Sequence, residues 1–427
     1  MDRMDEKLKT KLAYRLVILC WISYTTVYIG KKTLSVCLAD MIADGVCDKA
    51  AGGVIGTCFL AAYAAGQLIN GWFGDRLHPR FMIPAGLVLA GGMNLAMSVS
   101  SSVPLFVVFW GLCGFFCSML WAPVIRAVST WTTEEVAQAS AASLSATIPV
   151  GTVLCYLICA VMLKHFGWRA SFAACGSVLV VMGVLLYILF ATLKDFTKEP
   201  EATVGEDGRK STGAAPVKTL LCLGLLAAAG GILFNGMLKD GLDLWIPTAL
   251  NERFISDSST VSLICTILPL VNIFGAYAAK FVMRKFKIGE LGTCAVMFGV
   301  SVVTLGLFLV FLRHSDGGAV QAVIATILLA CSSAAMLGAN TMLLTFIPLH
   351  FGKVGRAAFV TGVLNCFSYA AAAVSGAVTG AISESFGWEG VFAGFLGAAL
   401  LGVIVCFAGR KPLLAKTKEL DAIQHVN

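Results

Sequence analysis

Long apolar stretches recur twelve times along the chain, each closed by a short polar, glycine- or proline-containing break. They cover 13–41, 51–73, 81–99, 104–127, 137–163, 170–193, 218–250, 261–283, 289–312, 319–348, 355–384 and 389–409. About 20 apolar residues in a helix cross the hydrocarbon core of a bilayer. Inside that core every backbone N–H and C=O must be satisfied, and a helix does this within one segment. The pattern predicts an all-α membrane protein with twelve transmembrane helices. The first apolar run is too long for a cleavable leader and further spans follow at once, so no signal peptide is expected.

One break is different. Residues 194–217 are rich in Lys, Glu, Gly and Thr, include Pro200 and Pro216, and have no apolar face. Such a segment reads as a linker. The expected organisation is an N-terminal six-helix bundle over 1–193, a cytoplasmic linker over 194–217 and a C-terminal six-helix bundle over 218–427. An internal repeat agrees with it. Phe166-Gly167-Trp168-Arg169-Ala170-Ser171-Phe172 precedes the sixth helix, and Phe386-Gly387-Trp388-Glu389-Gly390-Val391-Phe392 precedes the twelfth. Two six-helix halves in parallel repeat suit a carrier whose bundles rock about a site near the membrane midplane.

Composition removes other classes. The chain is 58% hydrophobic and 13% charged, against about 25% charged in soluble domains. The net charge of +7 does not point to nucleic acid, because the basic residues sit in short loops between spans. Lys7, Lys9, Lys11, Arg15, Arg76, Arg80, Arg126, Arg284, Lys285, Lys353, Arg356, Arg410 and Lys411 fall on one side, against Lys49, Lys164, Arg169, Arg253 and Arg313 on the other. The positive-inside rule then puts both termini and the linker in the cytoplasm, and the protein in the cytoplasmic membrane. Fifteen cysteines are scattered through apolar runs without a CxxC or Cys/His spacing, and read as small packing residues. No metal ligand set, nucleophile elbow or Gly-rich phosphate loop occurs, so no cofactor and no enzyme activity are expected.

The candidate chemistry lies where charge interrupts an apolar run. Lys31 and Lys32 sit within the first span, and Lys239 within the seventh. A cation at that depth costs about 3 kcal/mol on insertion scales and needs a partner or a wet cavity. Tyr24, Tyr28, Lys31 and Ser35 share one helix face, at i, i+4, i+7 and i+11. Lys32 points about 100° away and is expected to pair between helices or reach carbonyls. Asn235, Lys239 and Asp243 form a second stripe, where Asp243 or Asp240 can balance the lysine. Lys31 and Lys239 are expected to bind one small anion, with Tyr63 counted in the same site.

Several stretches resemble a known family. Gly71-Trp72-Phe73-Gly74-Asp75-Arg76-Leu77-His78-Pro79-Arg80, followed by Pro84-Ala85-Gly86-Leu87, resembles the loop between helices two and three of the major facilitator superfamily. The version is that of the organophosphate:phosphate antiporters, which have Asp-Arg-x-Asn-Pro-Arg; here His78 replaces the Asn. Tyr28-Ile29-Gly30-Lys31-Lys32-Thr33 is similar to the Tyr-x-x-Arg-Lys-Asn of glycerol-3-phosphate and hexose-phosphate antiporters. Trp121-Ala122-Pro123-Val124-Ile125-Arg126 is similar to their Trp-Pro-Pro-Cys-Gly-Arg. Leu238-Lys239-Asp240-Gly241 through Trp245-Ile246-Pro247-Thr248 is similar to their helix-seven Leu-Arg-x-Gly-x-x-x-Trp-x-Pro-Thr. The resemblance implies the major facilitator fold, with Lys31 and Lys239 where two arginines grip phosphate. Gln67 matches a helix-two Lys and Thr147 a helix-five His. In the second half, Arg284 stands where the loop motif has Asp. Asp75, Arg76, Arg80 and Arg126 are expected to form a cytoplasmic gate.

The expected function is exchange of a small anionic metabolite, a sugar or polyol phosphate, for inorganic phosphate by alternating access, in a functional monomer surrounded by bilayer lipid. Two alternatives stay open: proton-coupled uptake of a carboxylate such as a sugar acid, and a membrane sensor that binds sugar phosphate without carrying it.

Overall fold

The computed structural model describes residues 2–74, 77–132, 136, 140, 144, 146–193, 223–351 and 357–424, and the expected linker lies outside them. Helices α1 (Asp2–Lys31), α2 (Thr33–Ala43), α3 (Lys49–Gly74), α4 (Pro79–Val99), α5 (Val103–Cys117), α6 (Trp121–Trp131) and α7 (Thr147–Thr192) come first. Then follow α8 (Leu223–Arg253), α9 (Ser258–Cys265), α10 (Ile267–Phe286), α11 (Glu290–His314), α12 (Ala319–Thr341), a π-helical turn over Met342–Phe346, α13 (Ile347–Phe351) and α14 (Ala357–Gln424). Among the described residues, eight helical stretches are long and apolar enough to cross a membrane. Two of them, in α7 and α14, run through a glycine break and provide two crossings each. With α3 and α8 the total is the expected twelve. Helix α8 owes its lower apolarity to Lys239, Asp240 and Asp243.

The first span departs from the expected single helix over 13–41. It begins at Asp2 and breaks at Lys32, whose φ of −100° and ψ of −4° separate α1 from α2. Local hydroxyls take up the carbonyls near the break. Thr33 donates to Ile29 O at 3.1 Å, and Ser35 donates to Lys32 O at 3.0 Å. Short polar side chains that bond nearby backbone offer the chain an alternative to the regular ladder.

The chain divides into two compact units: Met1–Val204 with Asp257–Pro269, and Gly205–Ser256 with Leu270–Asn427. In the first, α1 packs along α7, α4 packs on α7 and α5, and α3 packs on α5. In the second, α8 packs along α14, α11 packs on α14 and α12, and α12 packs on α8. The start of the eighth span, α9, groups with the first unit, although the sequence order puts it in the second half. Its serines explain this. Ser258 donates to Asp40 Oδ1 at 2.8 Å, Ser259 to Ala160 O at 2.8 Å and Ser262 to Tyr156 O at 2.7 Å. Asp257 caps α9, and the Thr260 hydroxyl beside its carboxylate holds the group below the usual carboxylate range.

The repeated Phe-Gly-Trp segments make the same local structure twice. Gly167 (φ 79°, ψ −178°) and Gly387 (φ 65°, ψ −172°) each break a long helix at the membrane end. After each break the tryptophan indole N–H donates to an acid at a helix end, past α2 in the first unit and in the last turn of α8 in the second. Trp168 Nε1 reaches Asp44 Oδ2 at 2.8 Å, and Trp388 Nε1 reaches Glu252 Oε2 at 2.9 Å. The next residue is used with opposite charge in the two copies. Arg169 donates to Ser98 O and Ser100 O at the C-terminal end of α4, whereas Glu389 pairs with Arg313 at 3.0 Å. Backbone with positive φ and ψ near 180° is a region that glycine alone occupies readily, at a cost of about 1–3 kcal/mol for other residues. Open space surrounds both glycines, so backbone strain is the whole penalty. Gly167→Ala and Gly387→Ala are each expected to lower stability by about 1–3 kcal/mol, read as a drop in the thermal midpoint of the detergent-solubilised protein. Gly299→Ala, also in open space but with helical backbone, is the control and should be neutral or stabilising, by up to about 1 kcal/mol.

Candidate functional site

In the first unit the site is built around the end of α1. Lys31 is half-buried, and its Nζ lies 4.0 Å from the centre of the Tyr63 ring, 5.2 Å from Tyr28 and 6.0 Å from Phe59. An ammonium over aromatic faces is held by their negative π density, an attraction worth about 2 kcal/mol or more when desolvated. The nest continues through Tyr24, whose ring meets Tyr28 edge-on at 5.5 Å and Trp121 at 4.7 Å. Phe59 in turn packs on Trp110 at 5.1 Å. Helix α7 closes on this face because Gly151 has no side chain: a Cβ there would run into Thr25 O and Tyr28 Cβ. Gln67 is half-buried on the same helix as Phe59 and Tyr63. Thr147 is fully buried and donates back to Leu144 O. Lys32 sits at the helix break, half-buried.

In the second unit, α8 carries the counterpart. Lys239 Nζ lies 2.6 Å from Asp240 Oδ1, with side chains 23% and 15% exposed. Asp240 is the adjacent residue, and Asp243 is half-buried one turn further along the same helix. Asn235 is fully buried and donates from Nδ2 to Met336 O at 2.7 Å, tying α8 to α12. Gly236 lets α14 come close, since a Cβ there would meet Ser368 O. Asn235 Oδ1, Asp240 Oδ2, Trp245 Nε1 and Thr248 Oγ1 are buried and have no hydrogen-bond partner among the described residues. The last two were absent from the expected site, although the Trp-x-Pro-Thr motif marks them. In an apolar surround, polar groups of this kind cost free energy until something bonds to them.

Of the expected cytoplasmic gate, Asp75 and Arg76 lie outside the described residues. Arg126 Nη1 donates to Leu77 O at 3.1 Å, joining α6 to the loop before α4. Arg80 lies 5.2 Å from the Phe81 ring and 5.9 Å from Tyr187. The structure gives a reason for His78 in place of the usual Asn. His78 is the N-cap of α4, and its Nδ1 accepts from Arg80 N at 3.1 Å, as an Asn oxygen does. His78→Asn should therefore leave stability unchanged, while His78→Ala loses the cap, about 1 kcal/mol; thermal melts of the two variants check this. In the second half, a pair unforeseen from sequence does comparable work. His350 Nε2 and Glu290 Oε1 lie 2.7 Å apart and hold α13 to the start of α11.

Comparison with known proteins places these features. The chain is 25% identical over 416 residues to a probable hexose phosphate transport protein of Chlamydia trachomatis, covering 90% of this chain and 88% of that one. It is 21% identical over 394 residues to the membrane sensor protein UhpC of Salmonella typhimurium, covering 88% and 87%. A crystal structure of a bacterial homologue of the human lysosomal transporter Spinster superposes with a TM-score of 0.76 at 15% identity, covering 94% of this chain and 97% of that one, a likeness of fold. Fold and relatives define a multi-pass membrane transporter and not an enzyme. The chain belongs to the major facilitator superfamily, whose family model matches residues 20–376.

Proposed function

We propose that this protein exchanges a small organic anion, a sugar or polyol phosphate, for inorganic phosphate across the cytoplasmic membrane by alternating access. The reading is carried by one observation: each unit holds a half-buried ammonium group on its first helical segment, Lys31 among aromatic rings and Lys239 beside Asp240. The relatives' names support the substrate class. In this reading Lys31 and Lys239 bind the anion, and Tyr24, Tyr28, Tyr63, Gln67, Lys32, Thr147 and Asn235 line its path. Asp240 and Asp243 balance the charge of Lys239 when the anion leaves. Asp75, Arg76, Arg80 and Arg126 hold the cytoplasmic gate. Both termini are cytoplasmic and a monomer suffices.

Coupling follows from charge. Two ammonium groups without an anion are costly in a closing low-dielectric chamber, so the empty carrier reorients slowly and exchange is favoured over one-way flux. Proteoliposomes loaded with labelled phosphate test this. External sugar phosphate should release the label, and phosphate-free vesicles should take up little. Equal uptake into phosphate-free vesicles would exclude strict exchange. The similarity to UhpC favours a second reading, a sensor that binds sugar phosphate. Ligand-dependent thermal stabilisation with no flux in the same vesicles is its signature.

A further inference from the structure

A cluster of thiols in the first unit takes no part in the transport reading. Cys155 and Cys159 lie one turn apart on α7, with sulfurs 3.9 Å apart. Cys175 lies past the Gly167 break and returns to the same point, 4.0 Å from Cys159 Sγ. All three sulfurs are within 4.8 Å of one another, and all three residues are fully buried. Cys37 of α2, also fully buried, faces the same group, and its thiol donates to Trp168 O at 3.9 Å. The cluster is a product of the fold. Two of its members are helix neighbours, but the third arrives from the other arm of α7 and the fourth from another helix.

We propose that Cys155, Cys159 and Cys175 form a binding site for a soft monovalent metal ion, copper(I) in chemical class. The spacing fits such an ion. A metal–sulfur bond of about 2.3 Å in a planar three-coordinate site sets the sulfurs about 4.0 Å apart, close to the two measured edges. Soft thiolate sulfur selects copper(I) over the harder divalent ions. Thiolate, not thiol, is the ligand, so each sulfur that coordinates the ion releases its proton to solvent as its sulfur–metal bond forms. A magnesium or calcium ion requires oxygen ligands, which this cluster does not offer. Bound there, the ion staples the two arms of α7 across the Gly167 break. The other close thiol pair of this unit, Cys113 and Cys117 at 4.0 Å, is without a third cysteine sulfur among the described residues and serves as the internal control.

The test uses the full chain in detergent, kept reduced, with silver(I) as a redox-inert probe and a competing ligand that strips singly coordinated silver. Metal content is read by mass spectrometry and proton release by a pH indicator. The wild type should retain one silver ion, with proton release from the coordinating thiols, that Cys159→Ala, Cys155→Ala and Cys175→Ala each lose and Cys113→Ala keeps. The same silver content in the wild type and in Cys159→Ala overturns the proposal. X-ray absorption of the copper(I)-loaded wild type needs no variant. Three sulfurs around the ion support the site, and one or two sulfurs, or oxygen and nitrogen neighbours, refute it. Phosphate exchange is not a readout in either experiment, so the result stands apart from the transport reading.

Discussion

Lys31→Met and Lys239→Met are each expected to abolish the proposed phosphate exchange while leaving the protein folded in the membrane. Methionine keeps the length and apolar stem of lysine and removes the charge. At Lys31 it also leaves the aromatic nest filled, since a thioether packs well on the rings of Tyr28, Phe59 and Tyr63. What is lost is a charge-assisted hydrogen bond to the anion in a poorly solvated site. Removing one partner of a buried, hydrogen-bonded charge pair costs about 3–5 kcal/mol, and the partial exposure of both lysines keeps the loss at the lower end. At 1.36 kcal/mol per decade, this corresponds to a fall in kcat/KM of about a hundredfold. Lys31→Arg should recover part of the activity, because the guanidinium keeps the charge, stacks on Tyr63 and grips phosphate with two N–H groups. The measurement is release of labelled phosphate from proteoliposomes, with the amount of correctly oriented protein fixed by surface labelling. Exchange by either methionine variant within a fewfold of wild type would remove that lysine from the site.

The two lysines were legible in the sequence for a simple reason: a charge inside an apolar run is rare and conspicuous. So were the twelve crossings, and the Phe-Gly-Trp repeat that marks where α7 and α14 break. What surrounds these residues was not legible. Tyr28 meets Lys31 through helix periodicity, but Phe59 arrives from α3, and an aromatic inside an apolar helix looks the same whether it faces lipid or an ammonium. The helix break at Lys32 was hidden because Thr33 and Ser35 are ordinary residues in a membrane helix until their hydroxyls turn onto nearby carbonyls. Asp240 and Asp243 were both visible as charges, but the contact between neighbours was not: adjacent side chains diverge at Cβ, and the long lysine stem closes the gap. The serines of α9 gave no signal for their attachment to Asp40, Tyr156 and Ala160, since the partners lie far away in sequence. The His78 cap could have been read, because the resemblance already marked that position as departing from Asn.

Asp240→Asn separates the two ways of coupling transport. In the structure its carboxylate holds Lys239 at 2.6 Å, so an incoming anion must compete with it. Asp240→Asn replaces that carboxylate with a weaker neutral acceptor. If coupling is exchange, Asp240→Asn binds anions more tightly, by about tenfold for each 1.4 kcal/mol of ion-pair energy released. The partly exposed pair limits that gain to the lower end, since solvent screens its attraction. KM for sugar phosphate then falls while exchange persists, and turnover slows because the tighter anion leaves reluctantly. If coupling is to protons, Asp240 is the group that must take up and release one. Asp240→Asn then equilibrates substrate but no longer accumulates it under an acid-outside gradient. Counterflow and gradient-driven uptake, measured on the same vesicles, distinguish these outcomes. Lower KM with intact counterflow, and no effect of the gradient on wild type, supports exchange; gradient-driven accumulation by wild type that Asp240→Asn loses assigns the carboxylate to proton coupling.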